Sequence, residues 1–380
     1  MVKLFPTERN SDTLIVYCSV VPHDFPPFHR INFVRELSKY VNVIFVDLPS
    51  NFRFAPLSKL IKFYVPLIKT FFRFDYSFVW EFFRFRRFHF STLYLYLLFQ
   101  KYYFKKRIVL FTTSGYDDPI YRYIPYNRSI FDCPDIHERE FEGNKAWIEK
   151  FDVVFANTNL VYKCVKKYNN NVKMLPSGYR SDSRLDFSEI KIPNSVLFLG
   201  GISQRIDYDL LNGVVRALPE VHFYFMGEVY LKKYYSEPED SFRLKKWRSI
   251  LSYPNVHYLS NFSEEALQSF LPFFKVGIIP YTTNDLFNNY CNPIKLYDYL
   301  AYGMSVVSTP LPNVISFQDN FPIYTANTGD EFVSMLRVAL RKSDKDTLKY
   351  KSKIALLLKK QSVEKKTSQV LREISLLFKE

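Results

Sequence analysis

Glycine is scarce in this chain, ten residues in 380, so a glycine-rich phosphate loop cannot be its main binding device. Cysteine is scarcer. The four residues, Cys18, Cys133, Cys164 and Cys291, are scattered and form no C-x-x-C pair. That pattern argues against a zinc site or a disulfide framework and fits a reducing compartment. Long apolar runs are also missing. The longest uncharged one, at residues 90–100, is about half of the roughly 20 residues a membrane-spanning helix needs. Residues 1–12 lack the apolar core of a signal peptide. Zinc-finger, RNP and helix-turn-helix signatures are absent, which speaks against a nucleic-acid partner.

What is present is a chain long enough for two ordinary domains, 47% apolar and therefore a folding sequence. Aromatics make up 18%, with 38 Phe and 29 Tyr, more than a core requires. The net charge of +14 is unevenly spread: residues 52–107 hold twelve Lys/Arg against two acids, interleaved with about twenty aromatics. Basic residues such as Arg84, Arg86 and Arg87 between Phe, Tyr and Trp suit a surface of anionic lipid head groups. The plainer alternative is a set of helices with core aromatics and solvated charges. The expectation is a protein peripheral on the cytoplasmic face of the cell membrane that does not cross it.

Apolar runs and turn residues predict alternating strands and helices. Strands are expected at 13–19, 43–46, 108–112, 129–132 and 153–156, with helices near 31–39, 138–150 and 160–168. A polar stretch, 181–193, reads as a linker. The alternation then restarts with strands at 196–199, 222–226, 256–259 and 276–280, and helices from 208, over 242–251 and over 263–273. The tail from 341 to 380 has a lysine-rich amphipathic helical pattern. Two doubly wound α/β domains follow, 1–180 and 194–360, with residues 361–380 as a C-terminal amphipathic helix. Ligands in such sheets bind at the carboxyl ends of strands, so a cleft between the domains is the expected site.

The richest local motif runs from Asn292 to Pro312, N-P-I-K-L-Y-D-Y-L-A-Y-G-M-S-V-V-S-T-P-L-P. Asn292 reads as an N-cap, Pro293 as the first helical residue and Gly303 as the stop, with a β-branched strand following at 305–309. Asn292, Lys295 and Asp298 recur every three residues near the helix start. Backbone N–H groups, a lysine and a carboxylate one turn deeper suit a diphosphate and a ribose hydroxyl. The local alternative is a surface helix with an ion pair.

With its companions, this motif resembles the donor-binding helix and strand of GT-B glycosyltransferases. Val196–Asp207 (V-L-F-L-G-G-I-S-Q-R-I-D) is similar to the first strand and turn of their nucleotide domain, and Phe223–Glu228 to its second strand. Asn255–Ser263 and Val276–Pro280 are similar to the strands beside the base pocket. Ser129–Asp135, Phe151–Asn157 and Leu175–Gly178 resemble segments of the acceptor domain. The resemblance covers nearly the whole chain outside the basic aromatic segment. It implies a GT-B fold, two Rossmann-like domains facing a central cleft, and transfer of a sugar from a nucleotide sugar, UDP-linked by preference, in bacterial capsule, exopolysaccharide or teichuronic-type synthesis. The implied acceptor is lipid-linked or polysaccharide. No cofactor and no metal are implied.

The resemblance also assigns roles. Gly200 and Gly201 allow close backbone approach to the diphosphate. Lys295 and Arg205 neutralise its charge, Asp298 holds the ribose, and Phe262 lies at the base. Glu228, Asn292, Pro293 and Ile294 complete the implied donor contacts, and Arg30 meets an acceptor phosphate. Two departures matter. Retaining members carry two glutamates eight residues apart, where this chain has Tyr290 and Asp298, and Gly201 stands at the usual arginine position. Losing the first glutamate points to inversion, which needs a base near the acceptor. Asp135 is the first choice, with Asp132 beside it and His23 and Asp24 in reserve; each is equally a turn former next to proline. Two other classes fit the same motifs: a nucleotide-sugar 2-epimerase, and a catalytically silent membrane-docking subunit.

Overall fold

The computed structural model describes residues 10–19, 29–47, 78–80, 86–113, 124–133, 145–180, 185–187, 191–231, 238–260, 264–342 and 344–379. The chain divides into two compact units, one of residues 1–180 with 361–380 and the other of residues 181–360. Each unit is built on one parallel sheet.

The first sheet holds β1 (Asn10–Ser19), β2 (Val41–Asp47), β3 (Phe78–Trp80), β4 (Arg107–Thr112), β5 (Arg128–Cys133), β6 (Val153–Ala156) and β7 (Val172–Met174), in the order β3-β2-β1-β4-β5-β6-β7. The second holds β8 (Ser195–Leu199), β9 (His222–Met226), β10 (Val256–Leu259), β11 (Val276–Ile279), β12 (Ser305–Ser308) and β13 (Ile323–Thr325), in the order β10-β9-β8-β11-β12-β13. Central strands read as unbroken apolar runs because helices cover both faces of such sheets. In β4 every residue after Arg107 is buried, and all four residues of β6, β11 and β12 are buried. The edge strands β3, β7 and β13 are three residues each, too short to show any period, and sequence patterning passes over them.

The core of the first unit absorbs many of the aromatics. Tyr17 stacks on Phe45 and Phe111 at 5.4 and 5.1 Å between ring centroids, and Phe33 meets it edge-on at 6.1 Å. Phe131, Phe155, Phe198, Phe223, Tyr297 and Tyr299 are likewise fully buried. Many of the described aromatics are therefore structural. Others reach solvent, Phe242 and Phe270 among them, and the most exposed of the described aromatics are Tyr102 and Tyr103 at the end of the Arg86–Tyr102 helix, at 71% and 70%.

The tail is helical. It forms Asp344–Leu348, Lys351–Gln361 and Val363–Leu377. The last of these belongs with the first unit, where Val363, Val370 and Ile374 pack against Phe33, Phe111 and Ile130. Chain crossings at 177–179 and 361–363 are pinned to each other: the Gly178 and Tyr179 N–H groups donate to Gln361 O, and Val363 N–H donates to Tyr179 O. Described parts of the 181–193 stretch lie on the second unit, with Asp186 N–H donating to Ala301 O and Lys191 Nζ to Tyr302 O.

Candidate functional site

In the second sheet the strand order reverses between β8 and β11, the place where open α/β sheets bind ligands beyond their strand ends. These two strands pair only at Val276–Val196 and Gly277–Leu197. Beyond that point Tyr299, from the Lys295–Ala301 helix, takes over. Its hydroxyl accepts from the Leu199 N–H at 2.8 Å and donates to Ile278 O at 3.2 Å. Only glycine fits beneath the ring, since a Cβ on Gly277 would come within 2.3 Å of it. Burial holds the Tyr299 phenol well above its usual range.

Past β8 the chain turns through Gly200, at φ +123°, a backbone state that favours glycine. A Cβ there would lie 2.9 Å from the Lys295 ammonium, so the turn and the lysine are in direct contact. The Lys295 Nζ is buried and makes no hydrogen bond of good geometry. It stands 3.9 Å from the Phe198 ring centroid and 4.8 Å from that of Tyr281. Arg205, in the same turn, brings its guanidinium to 4.4 Å from the Tyr281 centroid and 4.9 Å from that of Phe287. Its Nε donates to Asn288 Oδ1 at 2.7 Å.

The electrostatics follow from this crowding. Burial pulls the Lys295 ammonium below its ordinary value and outweighs the neighbouring Tyr281 hydroxyl, while Arg205 pulls the same way as burial. For Tyr281 burial acts upward, but Lys295 and Arg205 together outweigh it and bring the phenol below its ordinary value. A buried cation held by neutral groups is costly to fold and ready for an anion. Lys295 and Arg205 together match a diphosphate, and the same charges would stabilise a departing one.

The structure brings Gly200, Gly201, Arg205 and Lys295 together and revises Asn292. The regular helix starts at Lys295, its N-cap is Ile294, and no side chain caps it. Asn292 is buried and committed elsewhere: its Oδ1 accepts from the Tyr297 hydroxyl at 3.1 Å and from Asn313 Nδ2 at 2.8 Å. Pro293 is buried in the turn that precedes the helix. Asp298 is half-buried one turn beyond Lys295. Glu228 follows β9 and its carbonyl accepts from Ile202 N–H at 2.8 Å, beside the Gly200–Gly201 turn.

Among the base candidates, Asp132 is tied up. Its Oδ2 meets Lys366 Nζ at 2.8 Å, with side-chain exposures of 12% and 10%. It anchors the C-terminal helix, so its carboxylate is engaged within the fold. His23, Asp24, Asp135, Phe262 and Arg84 lie outside the described residues, as do the side chains of Arg30, Arg86 and Arg87, whose backbones are helical. Among the described residues no three His, Cys, Asp or Glu side chains group as metal ligands.

Sequence reasoning missed Tyr281, Asn288, Phe198, Phe287 and Tyr299. The one available signal was position: Tyr281 directly follows the Val276–Pro280 run, at the carboxyl end of a strand that sequence had already marked.

No protein-family model matches the chain. A stretch of 155 residues, 40% of the chain, is 24% identical to TuaH of Bacillus subtilis (strain 168), which is named as a teichuronic acid biosynthesis glycosyltransferase. That match spans 36% of the relative, about a third of its length. Among solved structures, Anabaena HepE in complex with UDP and glucose superposes with a TM-score of 0.66 at 9% identity, over 95% of this chain and 99% of that one. An E. coli trehalose-6-phosphate protein bound with UDP-2-fluoro glucose gives 0.63 at 10% identity, over 95% and 98%. WaaG, a glycosyltransferase involved in lipopolysaccharide biosynthesis, gives 0.57 at 11% identity, over 94% and 98%. Across nearly its whole length the chain is similar to GT-B glycosyltransferases, and its fold is GT-B.

Proposed function

We propose that the protein is a glycosyltransferase of polysaccharide biosynthesis that takes a sugar from a UDP-sugar. The observation that carries this reading is the buried Lys295 ammonium, set against the Phe198 and Tyr281 rings and beside Arg205 at the β8–β11 reversal. It supplies the charge that a nucleoside diphosphate lacks and the field that a leaving diphosphate needs. Support for UDP comes from HepE, whose structures hold UDP with glucose and UDP-glucose. In this reading Lys295 and Arg205 do the work a metal would otherwise do, Asp298 takes the ribose, and the family resemblance assigns Glu228 and Phe262 to the donor.

The acceptor in this proposal is membrane-associated, lipid-linked or polymeric. Exposed Phe99, Tyr102, Tyr103 and Phe104 adjoin Lys101, Lys105 and Lys106 at one helix end, a pairing of rings and cations that suits an anionic bilayer surface. No described helix is long and apolar enough to cross a membrane. Docking on the cytoplasmic face would bring the acceptor to the first unit. There an inverting transfer would use Asp135 as base, with His23 or Asp24 as substitutes, since Asp132 is held by Lys366.

A nucleotide-sugar thermal-shift series tests the donor half: UDP-sugars are expected to raise Tm, and Lys295→Ala to abolish the rise. No rise with any UDP-, GDP- or dTDP-sugar would sink the reading. Salt-sensitive co-sedimentation with anionic vesicles tests the acceptor half. Failure to bind them at low salt would remove the membrane from it.

A further inference from the structure

A lysine and an arginine that must meet one diphosphate repel each other, so something must hold them side by side. Tyr281 is built for that task. Its main chain is fixed on two sides: it bridges Ile206, through Asp207 N–H donating to Pro280 O at 2.9 Å and Thr282 N–H to Arg205 O, and its carbonyl accepts from Thr309 Oγ1 at 2.6 Å. Its ring lies against both cations, at 4.8 Å from Lys295 Nζ and 4.4 Å from the Arg205 guanidinium. Ring faces attract cations without carrying a counter-charge of their own, and the Tyr281 hydroxyl adds a contact to Lys295. A carboxylate in the same place would compete with the ligand.

Asn288 performs the second half. It is wholly buried, and its amide spans both parts of Arg205. Oδ1 accepts from Arg205 Nε, while Nδ2 donates to Arg205 O at 3.2 Å and to Thr282 O at 2.9 Å. Thr282 N–H in turn donates to Arg205 O at 2.9 Å, closing a ring of hydrogen bonds around the turn. One amide thereby sets the guanidinium's direction and ties its turn to the segment that carries Tyr281.

We infer that Tyr281 and Asn288 are positioning residues of the diphosphate site: the Tyr281 ring seats both cations, and the Asn288 amide aims the guanidinium. The inference rests on the donor-site reading above. Its consequence is selective. Removing the ring or the amide should weaken the diphosphate-dependent part of nucleotide binding and leave the nucleoside part alone.

The test measures the affinities of the full-length protein for UDP and for uridine, and compares their ratio across variants. Tyr281→Phe, which keeps the ring, should hold the ratio within about threefold of wild type. Tyr281→Leu and Asn288→Ala should lower it tenfold or more with uridine affinity unchanged, a pattern that general loss of structure does not produce. Should Asn288→Ala fail to fold, the two Tyr281 variants decide alone. A Tyr281→Leu ratio within threefold of wild type overturns the inference, as does an equal loss in Tyr281→Phe, which would assign the role to the hydroxyl. A wild-type protein with no preference for UDP over uridine overturns the donor reading itself. If Lys295→Ala abolishes that preference and Tyr281→Leu does not, the donor reading stands and this inference falls.

Discussion

Among the described residues, Lys295 and Lys366 place their ammonium groups under nearly the same local conditions, and the fold treats them in opposite ways. Lys366 lies in the first unit against Gly178, a glycine at φ +78°, and its ammonium is 2.8 Å from Asp132 and 4.8 Å from the Phe33 ring centroid. Lys295 lies in the second unit against Gly200, at φ +123°, and its buried ammonium faces the Phe198 and Tyr281 rings. One charge is satisfied within the fold and fastens a helix to a sheet. The other is left open at the end of a strand, where a ligand could complete it. Unpaired buried charge is unfavourable, so a fold that retains it points to what lies outside the chain.

The largest effect that would sharpen the contrast is on stability. Lys366→Met leaves the Asp132 carboxylate buried without its cation and should cost about 3 kcal/mol. Pairing it with Asp132→Leu should recover most of the loss, as urea unfolding of the three proteins would reveal. Lys295→Met removes an uncompensated charge and should leave the unfolding midpoint unchanged or higher. A Lys295→Met protein as unstable as Lys366→Met would erase the distinction.

A smaller effect separates the two glycines. Alanine at either place must adopt a disfavoured positive φ, costing about 1–3 kcal/mol. At Gly178 the new methyl meets Lys366 Cδ at 2.9 Å, and at Gly200 it meets Lys295 Nζ at the same distance. Both variants should therefore lose stability, but only Gly200→Ala should also weaken UDP binding, by about tenfold in a calorimetric titration. Equal UDP affinity in the two would place the Lys295 ammonium away from the ligand.

The two lysines were not equally legible in sequence. Lys295 sits in a compact run, N-P-I-K-L-Y-D, with a strand close behind, so local chemistry and family likeness both pointed at it. Arg205 and Gly200 were found the same way, from a turn directly after an apolar strand. Lys366 looked like one more cation on a basic helical face, because its partner Asp132 is 234 positions away. Asn292 was misread for a different reason. Asn before Pro has the local chemistry of a cap, and only the fold reveals Tyr297 and Asn313 as its partners. Tyr281, Asn288 and Tyr299 were not singled out in the sequence, since a ring that seats a cation and a ring that fills a core have the same neighbours there. The central strands were visible because burial on both faces makes them continuous apolar runs, and the three-residue edge strands were not.

The most direct test of the contrast is one UDP titration carried out on the wild type, Lys295→Met and Lys366→Met below their unfolding temperatures. The expected result is a loss of about a hundredfold in affinity (~2.8 kcal/mol) for Lys295→Met and wild-type affinity for Lys366→Met. Wild-type UDP affinity in Lys295→Met would contradict the assignment of the open lysine to the donor diphosphate.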